Sequence, residues 1–283
     1  MSQAVTSRER VLWLLAGGVA VLVPVALSKI WKRCNKTSAS STFSLNRPTA
    51  GPRSDKKLPV GNHALQLYSL GTPNGQKVTI LLEELGVAYD AWNINIGKGD
   101  QFGSGFVEIN PNSKIPALVD QDFKSPENPT HPLAVFESAS ILLHLAKKHN
   151  KFIPPQDDVE KTAELMNWLF FQVGAAPYFG QFGHFFHYAS EKLPYAIARY
   201  KMETQRLLDV LDQRLAHRDW VVGSDITIAD MAWFPWVVCL DVFYHGSEEL
   251  ELKKYKNVQK WIARMNARPA VVAGMSKEYQ QIP

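Results

Sequence analysis

Hydrophobic residues in this chain change their spacing at Pro154-Pro155. Upstream, short alternating runs dominate. ALQLYSL (64–70) alternates up to a turn and reads as a strand. NGQKVTILLEELG then puts Val78, Leu81, Leu82 and Leu85 on one helical face, and Gly86 stops the helix. AYDAWNINI is a second strand, Ile115 to Val119 a third and LAVFE a short fourth. ESASILLHLAKKHN comes next as a helix with Ile141, Leu142 and Leu145 inward. Downstream, VEKTAELMNWLFFQVGAAPYF, YAIARYKMETQRLLDVLDQRLAHR, TIADMAWFPWVVCL and NVQKWIARMNARPAV all carry helical spacing, the last stopped before Pro269.

Strand-helix-strand followed by strand-strand-helix is the order of a thioredoxin-like domain. It demands a mixed sheet, because a crossover joins the first strand pair and a hairpin the last. The fold class expected is therefore an α/β thioredoxin-like domain over 62–150, then an all-helical domain over 156–283. Within the second domain, Thr227 and Asp230 have the spacing of a capping box and mark a helix start.

The first sixty residues differ from the rest. Val11 to Ser28 carries no charge and is about long enough to span a bilayer. Lys29, Lys32, Arg33 and Lys36 follow it, which predicts a cytosolic catalytic domain. The expectation is a ten-residue tail, a transmembrane signal anchor over 11–30 and a flexible Ser/Thr/Pro/Lys-rich tether over 31–61. A cleaved signal peptide is the rival reading. The membrane would be the endoplasmic reticulum or the mitochondrial outer membrane. Cys34 would be open to palmitoylation or idle, and the sequon at Asn35 accidental on the cytosolic side.

The net charge of +4 is small and much of the excess precedes residue 60, so no nucleic-acid partner is expected. Two cysteines, Cys34 and Cys239, make neither a disulfide framework nor a CxxC pair, and Cys239 reads as a buried thiol. No metal is expected, since no histidine pair has a third partner at ligand spacing.

SKIPAL, ES and TIAD occur in that order across the two domains. With LGTPNGQKV, GDQFGSGFVEINPNSKIPALVD, NWLFF and GHFFHYA, the chain resembles the glutathione transferase superfamily over roughly 63–275. More closely, it resembles the nu-class, the bacterial and fungal enzymes related to the yeast nitrogen-regulating prion protein. The resemblance implies that Thr72-Pro73-Asn74-Gly75 fills the slot of the thioredoxin CxxC. Thr72 and Asn74 would then hold the sulfur of glutathione as a thiolate at a helix amino-terminus, where N–H groups and the dipole favour an anion. The same residues also make a good turn and cap. Tyr68 precedes the turn and is not expected to activate the thiol.

By the same resemblance Pro116 is cis, Ile115 pairs its backbone with the cysteinyl unit and Lys114 meets a carboxylate. Glu137 and Ser138 would bind the γ-glutamyl end, with Gln101 a further contact. Arg199 matches a helical-domain arginine that reaches a second glutathione; a solvated helix arginine accounts for it equally well. His184, His187 and Tyr188 crowd the same region, and aromatic packing accounts for them as well as binding does.

The activity implied is glutathione-dependent disulfide reduction by a homodimer, with glutathione as co-substrate and hydroperoxides as further substrates. Conjugation to electrophiles, and a non-catalytic glutathione-binding regulatory role, are the alternatives.

Overall fold

The computed structural model describes residues 13–16, 19–22, 45, 47–123, 132–155 and 157–282. Two elements lie within the apolar run near the amino-terminus. β1 (Trp13–Ala16) and β2 (Val19–Leu22) pair antiparallel, Trp13 opposite Leu22 and Ala16 opposite Val19. Valine, at positions 19 and 21, suits the strand. The expected spanning helix over 11–30 is thereby corrected. Among the described residues no helix is long and apolar enough to cross a membrane. The membrane partner and the cytosol-facing placement in the endoplasmic reticulum or mitochondrial outer membrane rested on that helix and fall with it. An uncharged run measures apolarity and length; it does not distinguish one helix from two short strands. The tail, Cys34 and the Asn35 sequon lie outside the described residues.

The end of the expected tether is not free. Arg53 N–H donates to Phe102 O (2.8 Å), Ser104 N–H to Ser54 O (2.8 Å) and Gly105 N–H to Lys56 O (3.0 Å). Lys56 pairs with Asp100 at 3.0 Å, and the Tyr68 hydroxyl donates to Pro59 O at 2.7 Å. Residues 53–59 are thus laid along the first domain.

That domain is the expected mixed sheet with one strand more. β3 (Leu65–Ser69) pairs parallel with β4 (Tyr89–Asn93) and antiparallel with β5 (Ala117–Asp120), which pairs antiparallel with β6 (Leu133–Phe136). The fifth strand, β7 (Gln280–Gln281), comes from the far end of the chain and adds parallel to β4. α1 (Pro73–Leu85) crosses from β3 to β4, capped by Thr72 and closed by Gly86 at φ 68°. α2 (Ser104–Ile109) comes after the glycine-rich loop, and α3 (Ser138–His149) closes the domain.

The second domain is helical: α4 (Val159–Gly183), a π-turn over His184–Tyr188, α5 (Pro194–Arg214), α6 (Ile228–Val242), α7 (Lys256–Asn266) and α8 (Pro269–Met275). Thr227 and Asp230 form the capping box of α6. Asp230 is fully buried and also accepts from Val221 N–H (2.9 Å) and the Trp261 indole (2.9 Å). Pro269 does not merely end α7; it opens α8, as its fixed φ and missing N–H allow at a first helical position.

α8 lies directly on α1. A Cβ at Gly274 would come 2.5 Å from the Ile80 backbone, and Thr79 Oγ1 donates to Gly274 O at 2.6 Å. α1 consequently has no solvent side over most of its length. Gln76, Lys77 and Thr79 are as buried as Val78, Leu81 and Leu82.

Candidate functional site

A cavity of about 1060 Å³ opens where the amino-terminus of α1 meets α6 and the π-turn. It sits at the top of the roughly 300–1,000 Å³ usual for small-molecule sites. Thr72, Asn74, Gln101, Lys114, Ile115, Glu137 and Ser138 all lie on its wall. Arg199 does not. It sits half-exposed on α5, 3.9 Å from Glu203 one turn on.

Thr72 is extended (φ −90°, ψ 164°) and its hydroxyl accepts a long 3.4 Å bond from Gly75 N–H. Pro73 occupies the first helical position and has no N–H to lose. Gly75 permits the turn to close: a Cβ there would meet Leu70 O at 2.1 Å. Asn74 is fixed from behind. Its Oδ1 accepts from Trp236 Nε1 on α6 at 2.9 Å. An indole N–H can only donate, so the amide orientation is determined and Nδ2 is left as the donor for a ligand. The Asn74 backbone N–H, in the first turn, has no intrahelical acceptor. The turn therefore combines a hydroxyl, an amide NH₂ and a helix amino-terminus, with no thiol of its own.

The Ile115-Pro116 bond is cis. Ile115 N–H and C=O make no hydrogen bond among the described residues, although β5 begins two residues later. They are free to pair with an extended ligand as a strand edge does. Lys114 extends to solvent at the rim, and its own carbonyl is held by Asn110 Nδ2 at 2.5 Å. Gln101 is 8% exposed; its Nε2 donates to Ile96 O at 3.3 Å, while its buried Oε1 has no partner among the described residues. Glu137, also lining the cavity, adopts φ 68°, ψ 120° just before Ser138 and the amino-terminus of α3. Two helix amino-termini thus converge on one space and favour negative charge there.

Two functional candidates escaped sequence reasoning. Trp236 sits in an apolar run that reads as core, and nothing local ties it to a residue 162 positions earlier. Lys77 is 1% exposed, and its ammonium donates to Ser138 Oγ (3.2 Å) and to Gln172 Oε1 on α4 (2.8 Å). Burial pulls its pKa down to about 7, against the opposing field of Glu137. The hint was its place one turn after Asn74, among residues of the inward face.

His184 and Tyr188 line the cavity, and His187 instead packs its ring 5.1 Å from that of His245. Tyr68, buried on β3, is not among the residues lining the cavity; its hydroxyl donates to Pro59 O, and desolvation, with Asp90 nearby, pushes it up to about 12. Burial likewise pushes the Cys239 thiol up to about 12, leaving it inert. Among the described residues no group of three or more His, Cys, Asp or Glu side chains is placed to hold a metal ion.

Comparison with known proteins agrees with this geometry. Residues 72–148 match the model of the glutathione S-transferase N-terminal domain, and 166–269 that of the C-terminal domain. Disulfide-bond oxidoreductase YghU of Escherichia coli K12 is 54% identical over 256 residues, 87% of this chain and 86% of that protein. Glutathione transferase YghU from Streptococcus pneumoniae, solved with glutathione, is 49% identical, with a TM-score of 0.81 over 88% of this chain and 97% of that one. A transferase family member from Pseudomonas fluorescens, solved with two glutathione molecules bound, is 40% identical, with a TM-score of 0.70 over 77% and 93%. With both domains matched in order and the cysteine-free turn in place, the chain belongs to the glutathione S-transferase family.

Proposed function

We propose that this protein is a glutathione-dependent disulfide-bond oxidoreductase. The observation that carries the reading is the Thr72-Asn74 turn. It offers fixed donors at a helix amino-terminus and no thiol, so the sulfur that reacts must arrive with the ligand. The naming of the E. coli relative as a disulfide-bond oxidoreductase, and the glutathione in the S. pneumoniae and P. fluorescens structures, support it.

In the proposed mechanism Thr72 Oγ1 and Asn74 Nδ2 donate to the glutathione sulfur and stabilise its thiolate. Ile115 pairs with the cysteinyl backbone, Lys114 and Gln101 hold the glycyl side, and Glu137 and Ser138 hold the γ-glutamyl end. The thiolate attacks a substrate disulfide; one S–S bond forms, one breaks, and a substrate thiolate leaves and takes up a proton. A second glutathione thiolate attacks the mixed disulfide, releasing oxidised glutathione and the other substrate thiol. Two thiols lose two electrons and one disulfide gains them. The cavity volume suits two tripeptides, and holding both sulfurs in one site replaces a bimolecular encounter. Arg199 would exchange Glu203 for a carboxylate of the second tripeptide. A homodimer fits the exposed apolar residues of two elements: Phe170 on α4 is 63% exposed and Phe136 on the edge strand β6 is 38% exposed.

Turnover of oxidised hydroxyethyl disulfide with glutathione and a recycling reductase tests the reading. The full chain should reduce it at a rate well above glutathione alone. Glutathione binding without turnover would leave a binding protein in its place.

A further inference from the structure

Asn74 and Ser138 both line the cavity, and each accepts a hydrogen bond from a donor behind it. Behind Asn74 stands the Trp236 indole, and behind Ser138 the Lys77 ammonium. A serine hydroxyl has one proton and two lone pairs. Once it accepts from an ammonium, that proton must be given elsewhere, and Ser138 lies on the cavity wall. The ammonium is itself held by Gln172 Oε1, so the helical domain fixes a side chain of the thioredoxin-like domain. Glu137 is the charged group whose field acts on it, from the loop before α3; Gln172 on α4 is uncharged.

We infer that Lys77 is a positioning residue for the proposed glutathione site: its ammonium turns the Ser138 hydroxyl outward as a donor and places positive charge behind the amino-terminus of α3, where the ligand's γ-glutamyl carboxylate is bound. The inference rests on the glutathione reading above. Lys77 is too buried to touch the ligand and acts through Ser138. With its pKa drawn to about 7, Lys77 exchanges its proton near neutrality. A neutral amine accepts from Ser138 and turns that proton away from the ligand. A bound carboxylate favours the ammonium, so binding tightens as pH falls through the neutral range.

S-methylglutathione is the probe, since it carries the carboxylates and has no thiol to ionise. Its affinity is measured by calorimetry for the wild type, Lys77→Met, Ser138→Ala and Lys77→Met/Ser138→Ala, with melting temperatures alongside. Lys77→Met should bind about tenfold or more weakly, the scale of one hydrogen bond to a charged group. The double variant should bind no worse than the weaker single one, because both changes remove one interaction. Wild-type affinity should fall between pH 6 and 8.5, and the profile should flatten in Lys77→Met. Every other titratable group is common to both proteins, so the difference between the profiles belongs to Lys77. Should Lys77→Met fail to fold, Lys77→Met/Gln172→Leu removes the stranded acceptor as well and takes its place. A lowered melting temperature with unchanged affinity and pH profile would make Lys77 a core residue only and overturn the inference. Failure of the wild type to bind S-methylglutathione would instead remove the glutathione reading, and this inference with it.

Discussion

Replacing Asn74 by alanine separates chemistry from folding at the site. The cap of α1 is Thr72, not Asn74, so the change leaves the helix start intact and puts the best helix former at its second position. What is lost is the Nδ2 donor proposed for the sulfur. A hydrogen bond to a charged group is worth about 1.5–3 kcal/mol, and 1.36 kcal/mol is one pKa unit. The pKa of bound glutathione should therefore rise by about one to two units in the variant. At a fixed pH below the wild-type bound-thiol pKa, the thiolate fraction and with it the disulfide-reducing rate should fall roughly 10- to 100-fold. The rate should recover as pH rises, because the thiol then ionises unaided. The stability cost is separate. Trp236 Nε1–H loses its acceptor, worth about 1–3 kcal/mol, and melting falls by roughly 2–4 °C per kcal/mol for a chain this long. Titrating the ultraviolet absorbance of the bound thiolate, alongside turnover against pH, checks both. An unchanged thiol pKa in a variant that still binds glutathione would refute the role given to Asn74.

Two further outcomes are expected. Asp90 loses water on burial, which alone would raise its pKa. Bonds from His63 N–H (2.8 Å), Gln66 Nε2 (2.8 Å) and the His63 ring (3.1 Å) more than offset this and hold it at about 2. Its folded pKa is thus below the unfolded value near 3.9, so its contribution is intact above about pH 4 and lost as pH falls towards 2; denaturant titrations should show Asp90→Asn with a shallower loss across that window, and parallel curves would contradict it. Gly274→Ala should destabilise the fold by about 1–3 kcal/mol or more, since its Cβ would stand 2.5 Å from the Ile80 backbone, which cannot rotate away; a urea midpoint equal to wild type would show that α8 lifts off without cost.

Local spacing revealed much of this architecture. Val78, Leu81, Leu82 and Leu85 lie inward as their period demands, and the alternation in ALQLYSL marks β3. That the residues of the turn, Ile115-Pro116 and Glu137-Ser138 belong near one another was legible through resemblance, because each is a short contiguous string, and all of them line the cavity. The features that escaped depend on distant partners. Gln76, Lys77 and Thr79 are polar residues on the helix face that α8 and α4 cover from roughly a hundred to two hundred positions away. α2 follows Gly103, carries Gly105 at its second position and is six residues long, below the length that periodicity resolves. Pro269 was legible as a stop; its equal fitness as a start depends on the short helical run from Ala270 to Met275. The apolar run near the amino-terminus misled for another reason. Its lack of charge satisfied the criterion for a span, while its valines equally suit the paired strands that form there.

The return of β7 to the first sheet makes the two halves inseparable in practice. A fragment ending near residue 150 would carry Trp92 and Asn93 as an open margin with no neighbour to occupy their amides. It would also uncover the stretch of α1 that Gly274 now shields. Such a fragment should clump with its own kind. By contrast, a single cut in the join near Pro154 should leave both pieces clasped, because the seam between them is stitched at its far end as well.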